Sequence, residues 1–131
     1  MWEAVYKYLT IFIKIKIMNV NLVIDKKENY VIINIEGEVD TYTSPKVKSD
    51  ILKEIEDYKN IIISMEKVKF IDSTGLGVLI GVLKKVKEKE GKLIIISPNS
   101  YINQIFEITG LFKVFKIVNS INEAIDELNK S

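Results

Sequence analysis

The eight residues Phe70-Ile71-Asp72-Ser73-Thr74-Gly75-Leu76-Gly77 constrain this chain more than any other stretch. An apolar pair gives way to an aspartate and two hydroxyl residues. A glycine-bearing run follows, with Leu76, Leu79, Ile80, Leu83 and Val86 on one helical face. That order reads as a strand passing through a tight turn into a helix, which commits the chain to packing helix on sheet. The first amides of a helix have no acceptor within it. Such a turn can therefore hold an anion or carry a phosphorylated side chain.

The flanking sequence supplies the rest of a sheet. Val20–Ile24 and Tyr30–Ile35 are β-branched runs joined by the polar turn Asp25-Lys26-Lys27-Glu28-Asn29, which predicts a hairpin. Ser44 stands as an N-cap ahead of Pro45, and Val47, Ile51, Leu52, Ile55 and Tyr58 follow at helical spacing. Ile61–Ser64 reads as a short buried strand, with a charged loop between it and Phe70-Ile71. Leu93–Ile96 has the unbroken apolar character of a central strand. Ser97-Pro98-Asn99 opens a helix that Gly110 closes, and Val114–Val118 is a further strand. Ser120 and Glu123 form a capping box for a last helix bearing Ile121, Ala124, Ile125 and Leu128. The order is hairpin, then α-β-α-β-α-β-α. This is an α/β fold with one mixed sheet and about four helices against it.

The chain is 131 residues long, the size of one domain. It contains neither His nor Cys, which removes Ser-His-Asp and Cys-His nucleophile pairs, His-ligated metals, disulfides and thiolate chemistry. No calcium-loop spacing occurs, so neither metal nor cofactor is expected. Gly75-x-Gly77-x-x-x-Gly81 is one residue too long for a dinucleotide turn, and no Walker lysine follows. A net charge of +1 offers no general attraction to nucleic acid or an anionic membrane. The first apolar run is interrupted by Lys14 and Lys16, far short of the ~20 residues that span a bilayer. A cytoplasmic location is expected.

At the turn itself, Ser73 has two readings. It is either a capping hydroxyl, worth about 1 kcal/mol, or a free one, with Asp72 capping in its place. A phosphate on a free Ser73 would add close to two negative charges beside Asp72, and would repel carboxylates on a partner. Gly77 and Gly81 share a helix face, which suits either close packing on the sheet or a smooth docking groove.

Taken together, three motifs resemble the bacterial anti-sigma factor antagonists, which are single STAS domains. They are Glu36-Gly37-Glu38-Val39-Asp40, the Phe70–Gly77 segment, and Ile108-Thr109-Gly110-Leu111-Phe112-Lys113. The resemblance runs from about Asn19 to Asn129 and implies a STAS-like sheet. It implies that Ser73 is phosphorylated by a cognate anti-sigma factor that is also a serine kinase, with Thr74 as the alternative acceptor. It places Asp40 on a loop beside that site, and partner binding on Asp40, Asp72, Ser73, Thr74, Gly75, Leu76 and Gly77. A phosphoserine phosphatase would reset the switch, and the chain itself would be no enzyme. Two alternatives remain beside it. One is a stressosome-like scaffold subunit. The other is a nucleotide- or lipid-binding relative, or a small enzyme using Asp40 and Asp72.

Residues 1–17 precede the domain, 18–131. Met18 would itself begin a domain of ordinary length, so the segment is either a tail or misassigned start, or an ordered extension. We read it as an added strand, with Ile11, Ile13, Ile15 and Ile17 on one face and Lys14 and Lys16 on the other. Trp2–Leu9 reads as a helical turn or as more of that strand. The strand would pair with a sheet edge or a second subunit. Trp2, Tyr6, Tyr8 and Phe12 would supply a dimer contact.

Overall fold

The computed structural model describes residues 1–97 and 99–130, and Ile17 by its backbone alone. Strands β1 (Val20–Lys26) and β2 (Val31–Val39) pair antiparallel across the expected polar turn. Strands β3 (Ile61–Ile71), β4 (Leu93–Ile96) and β5 (Lys116–Val118) then add in parallel, giving a sheet in the order β1-β2-β3-β4-β5. Between them run helices α2 (Ser44–Asp57), α3 (Ser73–Glu88) and α4 (Ser100–Thr109), and a short 3₁₀ turn follows α4 at Leu111–Lys113. Helix α5 (Ile121–Leu128) ends the fold, and helix α1 (Trp2–Ile17) precedes it.

Alternation along the strands divides the core. Ile33, Ile35, Ile61, Ile63, Met65 and Ile95 meet Val47 and Ile51 of α2, Leu79 and Val82 of α3, and Ile102 and Phe106 of α4. The intervening Ile32, Ile62, Ile94 and Ile96 turn the other way, with Val118, onto Ala124 of α5. Each buried aliphatic side chain contributes about 1.5–3 kcal/mol. Both faces of the central strands are therefore apolar, as their unbroken isoleucine runs foretell.

Four expectations need correction. The segment before the domain is a helix and not a strand. The alternation over residues 11–17 is local, whereas Trp2, Val5, Leu9 and Phe12 recur every three or four residues. A helix satisfies its own amides without a neighbouring strand. Glu3 in its first turn and Lys14 and Lys16 in its last also suit the helix dipole. Strand addition through this segment falls away. Phe12 packs edge-on against Tyr42 at 5.3 Å and 86°, while Trp2, Tyr6 and Tyr8 are each about 70% exposed.

The charged stretch before Phe70 is no loop, because β3 runs through it. Met65, Val68 and Ile71 are buried and Glu66, Lys67, Lys69 and Phe70 are exposed, and β2 also continues past Ile35 to Val39. Two register irregularities take up the extra residues, and Val39 ends opposite Ile71. Gly37 lies in this stretch at φ +102°, where a Cβ would stand 2.0 Å from the Asn19 carbonyl oxygen. Finally, α2 takes Thr43 as its cap residue and Ser44 as its first turn, and β5 begins at Lys116 because Val114 still follows the 3₁₀ turn. At the opening of α4, Asn99 caps through its side chain. Pro98 lies outside the described residues.

Candidate functional site

The paired ends of β2 and β3 bring two turns together. Asp72 follows β3 and caps α3, its Oδ1 accepting from the amides of Thr74 (2.9 Å) and Gly75 (3.1 Å). The same oxygen accepts from the Thr74 hydroxyl at 2.5 Å. Burial pushes the Asp72 carboxyl upward. The Thr74 hydroxyl and the amides of Gly75, Thr74 and Thr41 outweigh it, and hold the group below the usual carboxylate range. Asp72 is thus an ionised cap, which leaves Ser73 free at the first position of the helix.

Ser73 is exposed, and among the described residues no hydrogen bond engages its hydroxyl. Thr74 differs. Its oxygen lies 3.1 Å from the Ser44 hydroxyl, and since its one proton goes to Asp72, Ser44 is the donor of that second bond. Ser44 is buried at the start of α2.

The loop between β2 and α2 forms the other wall. Asp40 Oδ1 accepts from the amides of Tyr42 (2.9 Å) and Thr43 (3.0 Å). The buried Thr43 hydroxyl donates to the Glu38 carbonyl at 2.8 Å and accepts from the Asp40 amide at 2.9 Å. The Asp72 amide donates to the Val39 carbonyl across the sheet (3.2 Å), so the two turns meet directly. Asp40, Asp72, Ser73 and Thr74 therefore form one surface. Each carboxylate accepts backbone amides through its Oδ1, an arrangement that holds the two loops in place.

The glycines separate by role. A Cβ on Gly75 would meet Ile71 Cγ1 at 2.6 Å and Val39 oxygen at 2.9 Å, so close packing requires glycine there. Gly77 and Gly81 have nothing within 4 Å of such a Cβ. Packing on the sheet does not explain them, and they leave a bare strip down α3. Leu76 is half-buried against the core.

Sequence reasoning missed Thr41, Thr43 and Ser44 as parts of this site. Hydroxyl residues clustered before Pro45 were visible, but the Ser44–Thr74 contact joins positions 30 apart in the chain. Among the described residues no group of three or more acidic side chains is arranged to hold a metal. Among the same residues no helix is long and apolar enough to cross a membrane.

Residues 21–124 match the family model described as the STAS domain. The anti-sigma-B factor antagonist of Bacillus subtilis is 34% identical over 100 residues, covering 76% of this chain and 92% of that protein. The anti-sigma-B factor antagonist of Listeria monocytogenes is 32% identical over 104 residues, covering 78% and 91% respectively. A solved structure titled as a putative anti-sigma factor antagonist from Thermotoga maritima shares the fold with a TM-score of 0.76. It is 24% identical and covers 83% of this chain and 95% of its own.

Proposed function

This chain belongs to the STAS-domain family, among the anti-sigma factor antagonists, and from that premise we propose a phosphorylation-switched capture protein. The surface formed by the Asp40 loop and the start of α3 binds a cognate anti-sigma factor while Ser73 is bare, which frees the sigma factor. That anti-sigma factor, acting as a serine kinase, phosphorylates Ser73 and ends the capture, and a phosphoserine phosphatase restores it. In this reading the chain is a phosphoryl acceptor and not a catalyst.

The observation that carries the reading is the state of Ser73, exposed and without a hydrogen bond among the described residues, between two neighbours that hydrogen-bond to each other. A phosphate there adds about −1.5 to −2 charges. The amides of Thr74 and Gly75, which would otherwise attract it, already serve Asp72. The new charge therefore faces outward, beside an existing carboxylate, where a partner meets it. The fold has no need to change.

Intact mass after incubation with ATP and the organism's candidate anti-sigma kinases tests this. Wild type should gain one phosphate and Ser73→Ala none. Ser73→Asp should weaken capture about tenfold or more, roughly 1.4 kcal/mol. Equal affinity of Ser73→Ala and Ser73→Asp would remove the charge switch.

The exposed aromatic residues of α1 favour one second reading, a subunit that assembles through this helix. Sedimentation of the full chain against residues 18–131 decides it. A large species lost on deletion supports a scaffold, and two monomers dispose of it.

A further inference from the structure

We infer that Asp72 and Ser44 select the phosphorylated hydroxyl, by holding Thr74 out of competition with Ser73. This rests on the reading of the turn as a phosphoacceptor site, and it adds how the acceptor is chosen. Two hydroxyls stand side by side at the start of α3, both on exposed residues. Accessibility of the residues alone does not separate them. Their hydrogen bonds do.

Phosphoryl transfer from ATP requires the acceptor oxygen to present a lone pair to the γ-phosphorus. The new O–P bond forms as the bond from γ-phosphorus to the bridging oxygen breaks. ADP leaves, and the hydroxyl proton passes to a base in the kinase. Ser73 meets this requirement as it stands. The Thr74 hydroxyl donates its one hydrogen to the ionised Asp72 at 2.5 Å, a short charge-assisted bond. An acceptor lone pair is taken by Ser44 at 3.1 Å. Threonine is also stiff about χ1, and rotating its oxygen outward breaks both bonds at once.

Asp72 does not activate Thr74 in place of a kinase base. The oxygen facing the hydroxyl also serves two helix amides, and the carboxyl is held in its ionised form. The donor to Thr74, Ser44, is only 6% exposed, so the restraint is built from below the surface and a docking kinase does not displace it. Asp72 and Ser44 are thus positioning residues, acting on the chemistry through Thr74.

The test maps the phosphate by fragment mass spectrometry after incubation with ATP and the cognate kinase. Four proteins are compared: wild type, Ser73→Ala, and Ser73→Ala combined with either Ser44→Ala or Asp72→Gly. Glycine is tolerated at the cap position and removes the oxygen that holds the Thr74 hydroxyl. The χ1 couplings of Thr74, measured by NMR without kinase, report whether its side chain is held. Wild type should carry phosphate on Ser73 alone, and Ser73→Ala should react at least a hundredfold more slowly. Each double variant should phosphorylate Thr74 at least tenfold faster than Ser73→Ala, with its χ1 averaged where wild type shows one rotamer.

Reaction of Thr74 in Ser73→Ala at a rate within tenfold of wild type would overturn the proposal. So would a Thr74 with averaged χ1 that still takes no phosphate, since the choice would then be the kinase's. Either failure leaves phosphorylation of Ser73 in wild type intact. No phosphate on wild type would instead sink the acceptor reading, and this proposal with it.

Discussion

At the scale of single residues, three oxygen-bearing side chains in one turn of α3 have three different states. Asp72 is ionised and caps the helix through Oδ1, Thr74 both donates and accepts, and Ser73 is open. The pattern Asp-Ser-Thr-Gly raises the choice of cap but does not settle it, because aspartate and serine are both good caps and only backbone geometry selects one. Asp72 also gives the fold a pH dependence. Its folded pKa lies below the unfolded value of 3.8, so its contribution is complete above that value and lost as pH falls through the folded one. Urea midpoints should therefore hold steady from pH 7 to about 5 and decline below about pH 4, and Asp72→Asn should flatten that decline. Glycine substitutions separate packing from exposure in the same turn. Gly75→Ala should cost about 1–3 kcal/mol through the clash with Ile71 and Val39. Gly77→Ala meets nothing and should raise stability by about 1 kcal/mol, read as a higher Tm.

At the scale of elements, the helices and strands of the domain follow their periodicity closely, and the misreadings have specific causes. Charged residues mark the outer half of β3 because that part of the strand has one wet face, and a wet strand with charges looks like a loop until its partner is known. Helix α1 shows the opposite failure. Four isoleucines in alternation imitate a strand, while the three-to-four spacing of its larger apolar residues carries it into a helix. Since α1 meets the domain through the Phe12–Tyr42 pair, an aromatic contact of about 0.5–1.5 kcal/mol, deleting residues 1–17 should lower stability by no more than about 1.5 kcal/mol. Chemical denaturation followed by circular dichroism measures this, and a larger loss would mean that α1 supports the core. The bare strip on α3 makes its own prediction. Gly77→Leu should weaken capture of the anti-sigma factor about tenfold while leaving the unfolding midpoint near that of wild type, measured by calorimetry on both counts.

At the scale of the whole molecule, the mixed α/β sheet is legible from the order of apolar runs, and the family from three short motifs spread along the domain. The joining of the Asp40 loop to the α3 turn is not legible. It depends on Val39 standing opposite Ile71, and that register is set by irregularities between β2 and β3 that no local pattern announces. The same sheet has one further property, which is that its spatial order is its chain order. Every strand pairs with the one made just before it, and no strand waits for a distant segment to be inserted beside it. A chain emerging from the ribosome can add strands in the direction of synthesis, with one turn or one helical crossover to close at each step. The proposed capture surface lies wholly between the start of β2 and the end of α3, so its last element is complete at Glu88, before β4 has been translated.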